Sequence, residues 1–518
     1  MALALGPDVA HALCEQWHQP RTPARPRPGA DTPLRELAAW GASLRPRDIP
    51  CRVLKLAASQ VLSQTASIRA GLAHPLGRRL VAAFGHPLQS DPRASAAVFA
   101  ALGSWLNLDD TAYAGHLSNS TVAVPLAYAY ARQLDGLSLL TAVVAANECA
   151  ARITAAATLG PLRGQSAVHT HLAGAVAGRL HCDRASARTW QDALGLAFAM
   201  PNWPLMRAFL ASDARLFNAF TPVRTAMDAC DGALAGLRGA PDILEHEDGF
   251  LARFATVPLP QALGKGLGSR WHTDTLSFKL HPGGPGIDAA IDCAADIHRA
   301  IGPLRPQDVA EIVVEASLYT MYAGQRASGY ICGPGSPLGA LVLDVPYPVA
   351  TTLLTGSFGV SDFSSPGLDE PHRWELASRV RLEHDTAMTR ELFASHAPFG
   401  EAVREAGPDA HAWLRNFGGD ELVDLVATLA PTDPDFTRST KATGARVTVR
   451  TTDGRTTTRS RLIPLGGAGP DTRAHHAQMM RDKFLSVGGP ARVADTADRL
   501  HRMRPAGLRR WIEAAVLD

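Results

Sequence analysis

The run Ser138–Thr154, SLLTAVVAANECAARIT, is Ala-rich with few polar interruptions, and Glu148 and Arg152 are its only charges. A helix that is apolar on most sides has to be enclosed on most sides, so other helices must surround this one. Candidates lie on either flank, in the Ala-rich segments Leu126–Leu134, Leu172–Leu180 and Ala193–Met200. Upstream, apolar residues recur at helical spacing in Leu34, Leu37, Ala38 and again in Val53, Leu56, Ala57, Val61. Small side chains permit close helix packing, and the charges that punctuate these segments favour a multi-helix core over a membrane span. No stretch approaches the roughly 20 uninterrupted apolar residues that a membrane helix needs. The N-terminal MALALGPDVAHAL lacks the basic region and long hydrophobic core of a secretory signal, so a soluble protein is expected.

The texture changes at Gly264–Arg270, GKGLGSR, where glycines break the helical pattern and a domain boundary is expected. Beyond it, Glu311–Glu315 is a short β-branched run, and Ala445–Thr451 and Thr456–Ile463 flank Asp453-Gly454, a strong hairpin signal. Helices are expected over Asp288–Ala300 and Pro348–Leu354, and helical patterning returns after Pro464 through Leu500–Val516. With 518 residues the chain exceeds what one core usually organises. The expected division is an extended leader over 1–33, a helical domain over 34–268, an α/β domain over 269–465, and C-terminal helices over 466–518 that pack back on the helical domain. The leader rests on the Pro/Arg-rich stretch Pro20–Pro33, whose prolines forbid a helix.

The 51 Lys and Arg against 49 Asp and Glu leave a net charge of +2, which gives no global pull toward nucleic acid or membrane. Seven scattered cysteines, Cys14, Cys51, Cys149, Cys182, Cys230, Cys293 and Cys332, form no CxxC pair and imply reduced thiols and a cytoplasmic compartment. Walker loops, HExxH, zinc-spaced cysteines and GxSxG are absent. Gly264, Gly266 and Gly268 follow no strand, so a linker is the better reading than a nucleotide loop. Asp109-Asp110 suggests a metal-binding aspartate motif, but Tyr113 stands at its fifth position and no second acidic motif follows; the plain alternative is an N-cap. His169 and His171 are spaced HxH, which chelates zinc on a strand, yet the following sequence is helical and no third ligand is evident.

In order along the chain stand Leu108-Asp109-Asp110-Thr111, His116, Pro125, and the Ala-rich helix with Glu148 and Arg152. Then come Trp271-His272-Thr273 leading to Lys279-Leu280-His281-Pro282, and Tyr347 with Ala350, Leu353, Leu354 and Gly356. Pro464-Leu465-Gly466 and Lys483-Phe484 close the series. This collinear set resembles the MmgE/PrpD family, that of 2-methylcitrate dehydratase and cis-aconitate decarboxylase, from about Leu34 to the C-terminus. The resemblance implies a mostly α fold: a large all-helical domain plus a smaller α/β lid domain. It also implies a homodimer with its site in the interdomain cleft, no metal, no organic cofactor, and a small carboxylic acid as substrate.

Mapped through that resemblance, His116 and His169 fall at the family's two histidines, Lys279 at its second-domain lysine and Tyr330 near its tyrosine. These four are the expected catalytic residues, with Asn107, Asp110, Thr111 and Arg215 binding substrate. A proton α to a carboxylate is weakly acidic, so cations must stabilise the developing charge while a positioned base moves the proton. Departures are evident: Asn107 replaces an aspartate, Arg215 a lysine, Asn218 a histidine, and Gly284 a histidine of decarboxylase-like members. Arg215 keeps the charge but clamps a carboxylate rather than transferring protons. The leading expectation is a lyase that eliminates water or CO2. An isomerase or epimerase on the same scaffold, and an inactive member serving as a binding protein, are the alternatives.

Overall fold

The computed structural model describes residues 32–518 apart from 114, 162–164, 285, 432 and 518; the leader, but for its end, and Cys14 lie outside the described residues. At the centre of the first half lies the helix Gly136–Ala157, started by Asp135, whose carboxylate accepts from the Ser138 N–H at 2.7 Å. It packs along Gln165–Cys182, which in turn meets Phe217–Leu234 and Ala187–Ala197. Cys51–Ala73 and Pro92–Ser104 complete the surround. Of all described helices, Gly136–Ala157 alone is long and apolar enough by length and composition to cross a membrane, with a mean hydropathy of 1.3, although Glu148 and Arg152 interrupt it. It is wholly enclosed by protein, because its Ala-rich surface is what lets neighbouring helices close on it.

The second half carries a four-stranded sheet ordered β4-β3-β5-β6, formed by β3 (Val309–Ala316), β4 (Val380–His384), β5 (Ala445–Thr451) and β6 (Thr456–Arg461). β5 and β6 form the expected antiparallel hairpin, with Gly454 at φ +87° supplying the left-handed turn residue. Along β5 the inward residues Ala445, Val447 and Val449 alternate with more exposed ones. The helix Ile287–Ile301 covers this hairpin with Ile287, Ala290, Ile291, Ala294 and Ile297, one face of a 3.6-residue period. β4 was not legible in the sequence. It is a short edge strand parallel to β3 in which half-buried Val380 and Leu382 alternate with exposed Arg381 and Glu383, a pattern too brief to stand out.

From Pro33 onward the chain forms one compact unit. Its two halves are fused along a polar seam. Glu148, fully buried, accepts hydrogen bonds from the His272 N–H (3.0 Å), the Thr273 N–H (2.9 Å) and the Thr273 hydroxyl (2.8 Å). Arg152, one turn on, donates to the carbonyls of Lys265 and Arg270. Further along, Thr111 and Ser277 exchange two backbone hydrogen bonds, of 3.0 and 2.9 Å. The C-terminal helix Pro470–Ser486 lies on Cys51–Ala73, where Lys483 donates to the Ser63 hydroxyl and His476 meets the Ser59 hydroxyl at 2.7 Å.

Removing the Glu148 carboxylate leaves Arg152 as an uncompensated buried charge and strips three donors of their acceptor. Glu148→Ala is expected to cost about 3–5 kcal/mol, read as a lowered urea unfolding midpoint. A loss below about 1 kcal/mol would mean that the seam does not hold the halves together.

Candidate active site

A short hairpin starts the site. β1 (Thr111–Ala112) pairs with β2 (Gly115–His116), with Thr111 opposite His116, and the turn places Tyr113 at φ +52°. This folding back brings Asp109 to His116, whose Nδ1 lies 2.9 Å from the nearer carboxylate oxygen. Gly115 lets the hairpin settle on the helices behind it, since a β-carbon there would press on Thr170 Oγ1 at 2.5 Å and Thr154 Cγ2 at 2.8 Å. Thr170 is followed by His171, which is fully buried with both ring nitrogens unpartnered among the described residues.

Asp109 is the electrostatic hub. Burial works to raise its pKa, but His116, then His171 and Lys279, overcome that and hold it lowered. Arg215, from the turn Asp213–Leu216, also feels Asp109. Its Nε donates to the Trp105 carbonyl at 2.7 Å, one terminal nitrogen donates to Asn107 Oδ1, and the other is buried with no partner among the described residues. Burial pulls the guanidinium down to about 10. Asn107 sits at φ +52°, a conformation asparagine tolerates better than most residues.

From the second half, Lys279 reaches the cluster two residues after Ser277, the partner of Thr111. Its ammonium donates to the Gly283 carbonyl, and burial lowers its pKa against the opposing pull of Asp288 and Asp109. Lys441, in the loop before β5, donates to Thr111 Oγ1 at 2.8 Å. Lys483 donates to the Ser63 hydroxyl and the Leu108 carbonyl and stands 3.9 Å from Asp110. Burial pushes both of these lysines down to about 8.

The structure thus brings together His116, Lys279, Arg215, Asn107 and Thr111 of the residues singled out from sequence. Asp110 adjoins them but is committed to support, its oxygens taken by the hydroxyls of Ser63 (2.6 Å) and Ser118 (3.0 Å). Neither aspartate caps a helix. His169 is not with them, and it lies inside the helix Gln165–Cys182 rather than before one. Residues two apart on a helix point to nearly opposite sides, so only one member of the HxH pair can face the hairpin, and it is His171. His169 instead stands edge-on to Phe254 and Phe250, at centroid distances of 4.1 and 4.5 Å. Burial drops it to about 3, so it cannot shuttle protons near neutrality. Tyr330 makes no hydrogen bond to the Asp109 cluster among the described residues; its half-buried ring lies 5.4 Å from the Arg207 guanidinium. Asp109, His171, Asp288, Lys441 and Lys483 are the members that sequence reasoning missed.

Comparison with known families settles the kinship. Residues 35–261 match the MmgE/PrpD N-terminal domain, and residues 281–409 match the MmgE/PrpD C-terminal domain. The chain belongs to the MmgE/PrpD family. A curated relative, cis-aconitate decarboxylase of Aspergillus terreus, is 23% identical over 389 residues, covering 67% of this chain and 78% of that protein. As an MmgE/PrpD protein the chain departs at Gly284, where a β-carbon would press on a Leu343 methyl at 2.5 Å. Asn218 keeps a buried amide oxygen without a partner among the described residues.

Because His169 is held by edge-on packing against Phe250 and Phe254, with the Asn202 backbone as a polar neighbour, His169→Leu is expected to shift stability by less than about 1.5 kcal/mol. Denaturant unfolding reads this directly, and a loss above about 3 kcal/mol would reveal a polar role for the ring.

Proposed function

We propose that this MmgE/PrpD protein is a cofactor-independent lyase that removes CO2 or water from a small polycarboxylate by acid-base chemistry. The observation that carries this reading is the Asp109–His116 pair with the buried cations Arg215 and Lys279 and the half-buried Lys441 around it. Asp109 holds the imidazole through Nδ1 and so leaves Nε2 as the proton-transfer atom, on a ring that keeps 22% of its side-chain surface exposed. Arg215, with one unpartnered terminal nitrogen, is a ready carboxylate clamp, and Lys279 is a second point of attachment. The kinship with a protein named cis-aconitate decarboxylase supports the reaction class.

For dehydration, His116 takes the proton α to a carboxylate, the cations stabilise the enolate-like charge, and the hydroxide leaving the β-carbon takes that proton from His116 and departs as water. For decarboxylation, the pair of electrons of the broken C–C bond passes into the conjugated acid, and protonated His116 returns a proton to carbon. His171, which burial holds at about 3, works as a neutral hydrogen-bonding ring in either case. A site dominated by buried ammonium and guanidinium groups favours polyanions and repels metal cations.

We further read residues 34–268 as a helical domain, 269–465 as its lid and 466–518 as helices that return to the first. A cytoplasmic homodimer fits the unpaired cysteines among the described residues and the exposed Met200, Trp203 and Leu205. The test is incubation with EDTA and, in turn, citrate, 2-methylcitrate and cis-aconitate in deuterated water, followed by NMR. Turnover or exchange is expected in the wild type and is expected to fall at least about 100-fold in His116→Ala. Products separate elimination from isomerisation. No exchange with any acid, or full activity in His116→Ala, would overturn the reading.

A further inference from the structure

The link between Lys441 and Thr111 joins residues 330 positions apart in sequence. It has a chemical consequence that depends on direction. A threonine hydroxyl carries one proton and two lone pairs, whereas an ammonium can only donate. With Lys441 protonated, the 2.8 Å contact therefore fills a lone pair of Thr111 Oγ1 and leaves its proton free for another acceptor. Among the described residues no such acceptor is present. The hydroxyl belongs to the hairpin that carries His116, and the Thr111 backbone is bridged to Ser277, two residues before Lys279. Its free proton is thus held between the base and a carboxylate-binding lysine. Lys441 itself is fixed at both ends. Its backbone N–H donates to the Ala468 carbonyl and its residue bridges to Ala397, so the ammonium is not free to wander.

We propose that Lys441 is a positioning residue: its ammonium orients the Thr111 hydroxyl as a hydrogen-bond donor to a carboxylate or enolate oxygen of the substrate. This rests on the lyase reading given above. The role requires the charge. Once Lys441 loses its proton to solvent, the neutral amine becomes an acceptor, the Thr111 proton turns toward it, and the donor to substrate is lost. The charged groups facing Lys441 are Lys279, which with burial favours loss of the proton, and Asp288, which opposes it. Together they leave the lysine near 8, so the donor is present below that pH and fades above it.

The test measures affinity for cis-aconitate by calorimetry between pH 6 and 10 in the wild type, Lys441→Arg, Lys441→Met and Thr111→Val. Wild-type affinity is expected to fall about tenfold through pH 8, the worth of one hydrogen bond to a charged group. Lys441→Arg, charged throughout, is expected to flatten that limb, while Lys441→Met and Thr111→Val start about tenfold weaker and lack it. An alkaline limb that persists unchanged in Lys441→Arg or Thr111→Val overturns the proposal. If the wild type binds none of the acids, the lyase reading falls, and the orientation is judged separately by NMR of protein labelled with 15N-lysine. The Nζ resonance missing in Lys441→Arg is then expected to titrate near pH 8 and to move in Thr111→Val. An ordinary lysine titration, or no response to Thr111→Val, overturns it.

Discussion

Two backbone hydrogen bonds between Thr111 and Ser277 set the distance between the base and the cations. On one side of them, the hairpin presents His116 and Asp109; on the other, the chain runs two residues to Lys279. Glu148 fixes the same strand a few residues earlier by gripping the His272 and Thr273 N–H groups. The far side is closed by Phe278, whose N–H donates to the Gly466 carbonyl at 2.8 Å. Gly466 stands at φ +78°, and a β-carbon there would overlap the Phe278 carbonyl oxygen, so only glycine permits the approach. Three remote segments thereby meet through backbone groups, which are insensitive to side-chain identity except at that glycine.

The electrostatic character of the cluster follows from burial rather than from the number of charges. Arg215, Lys279, Lys441 and Lys483 are all depressed by desolvation, while Asp110 and Asp288 are raised by it, Asp110 to about 6. Asp109 alone among these carboxylates is held low, because it has His116 in direct contact. The result is a cluster in which one carboxylate is committed to a histidine and Arg215 keeps a terminal nitrogen without a partner among the described residues.

Local signals in the sequence carried the fold a long way. The Ala-rich run gave the central helix, the β-branched run over Glu311–Glu315 gave β3, and Asp453-Gly454 gave the hairpin of β5 and β6. These elements are specified by periodicity and turn chemistry over a few residues. β4 was hidden because its apolar face consists of only Val380 and Leu382, too short an alternation to read. The site was legible only where chemistry and order along the chain coincide, as at Thr111, His116 and Lys279. Asp109 and Asp110 are adjacent carboxylates, and only the hairpin decides which one reaches His116. His169 and His171 differ by half a helical turn, so the choice between them turned on helix phase, which a resemblance in order does not supply. Lys441 lies in a stretch, Thr437–Gly444, with no motif, and its role exists only because the chain returns to Thr111 from 330 residues away.

Lys441, which burial holds near 8 and which is joined to Thr111, ties the charge of the cluster to the acidity of its surroundings. An anion drawn to the proposed site would favour the charged form of Lys441 and raise its proton affinity. On the lyase reading, this lysine would hold its proton more firmly in the occupied site than in the empty one.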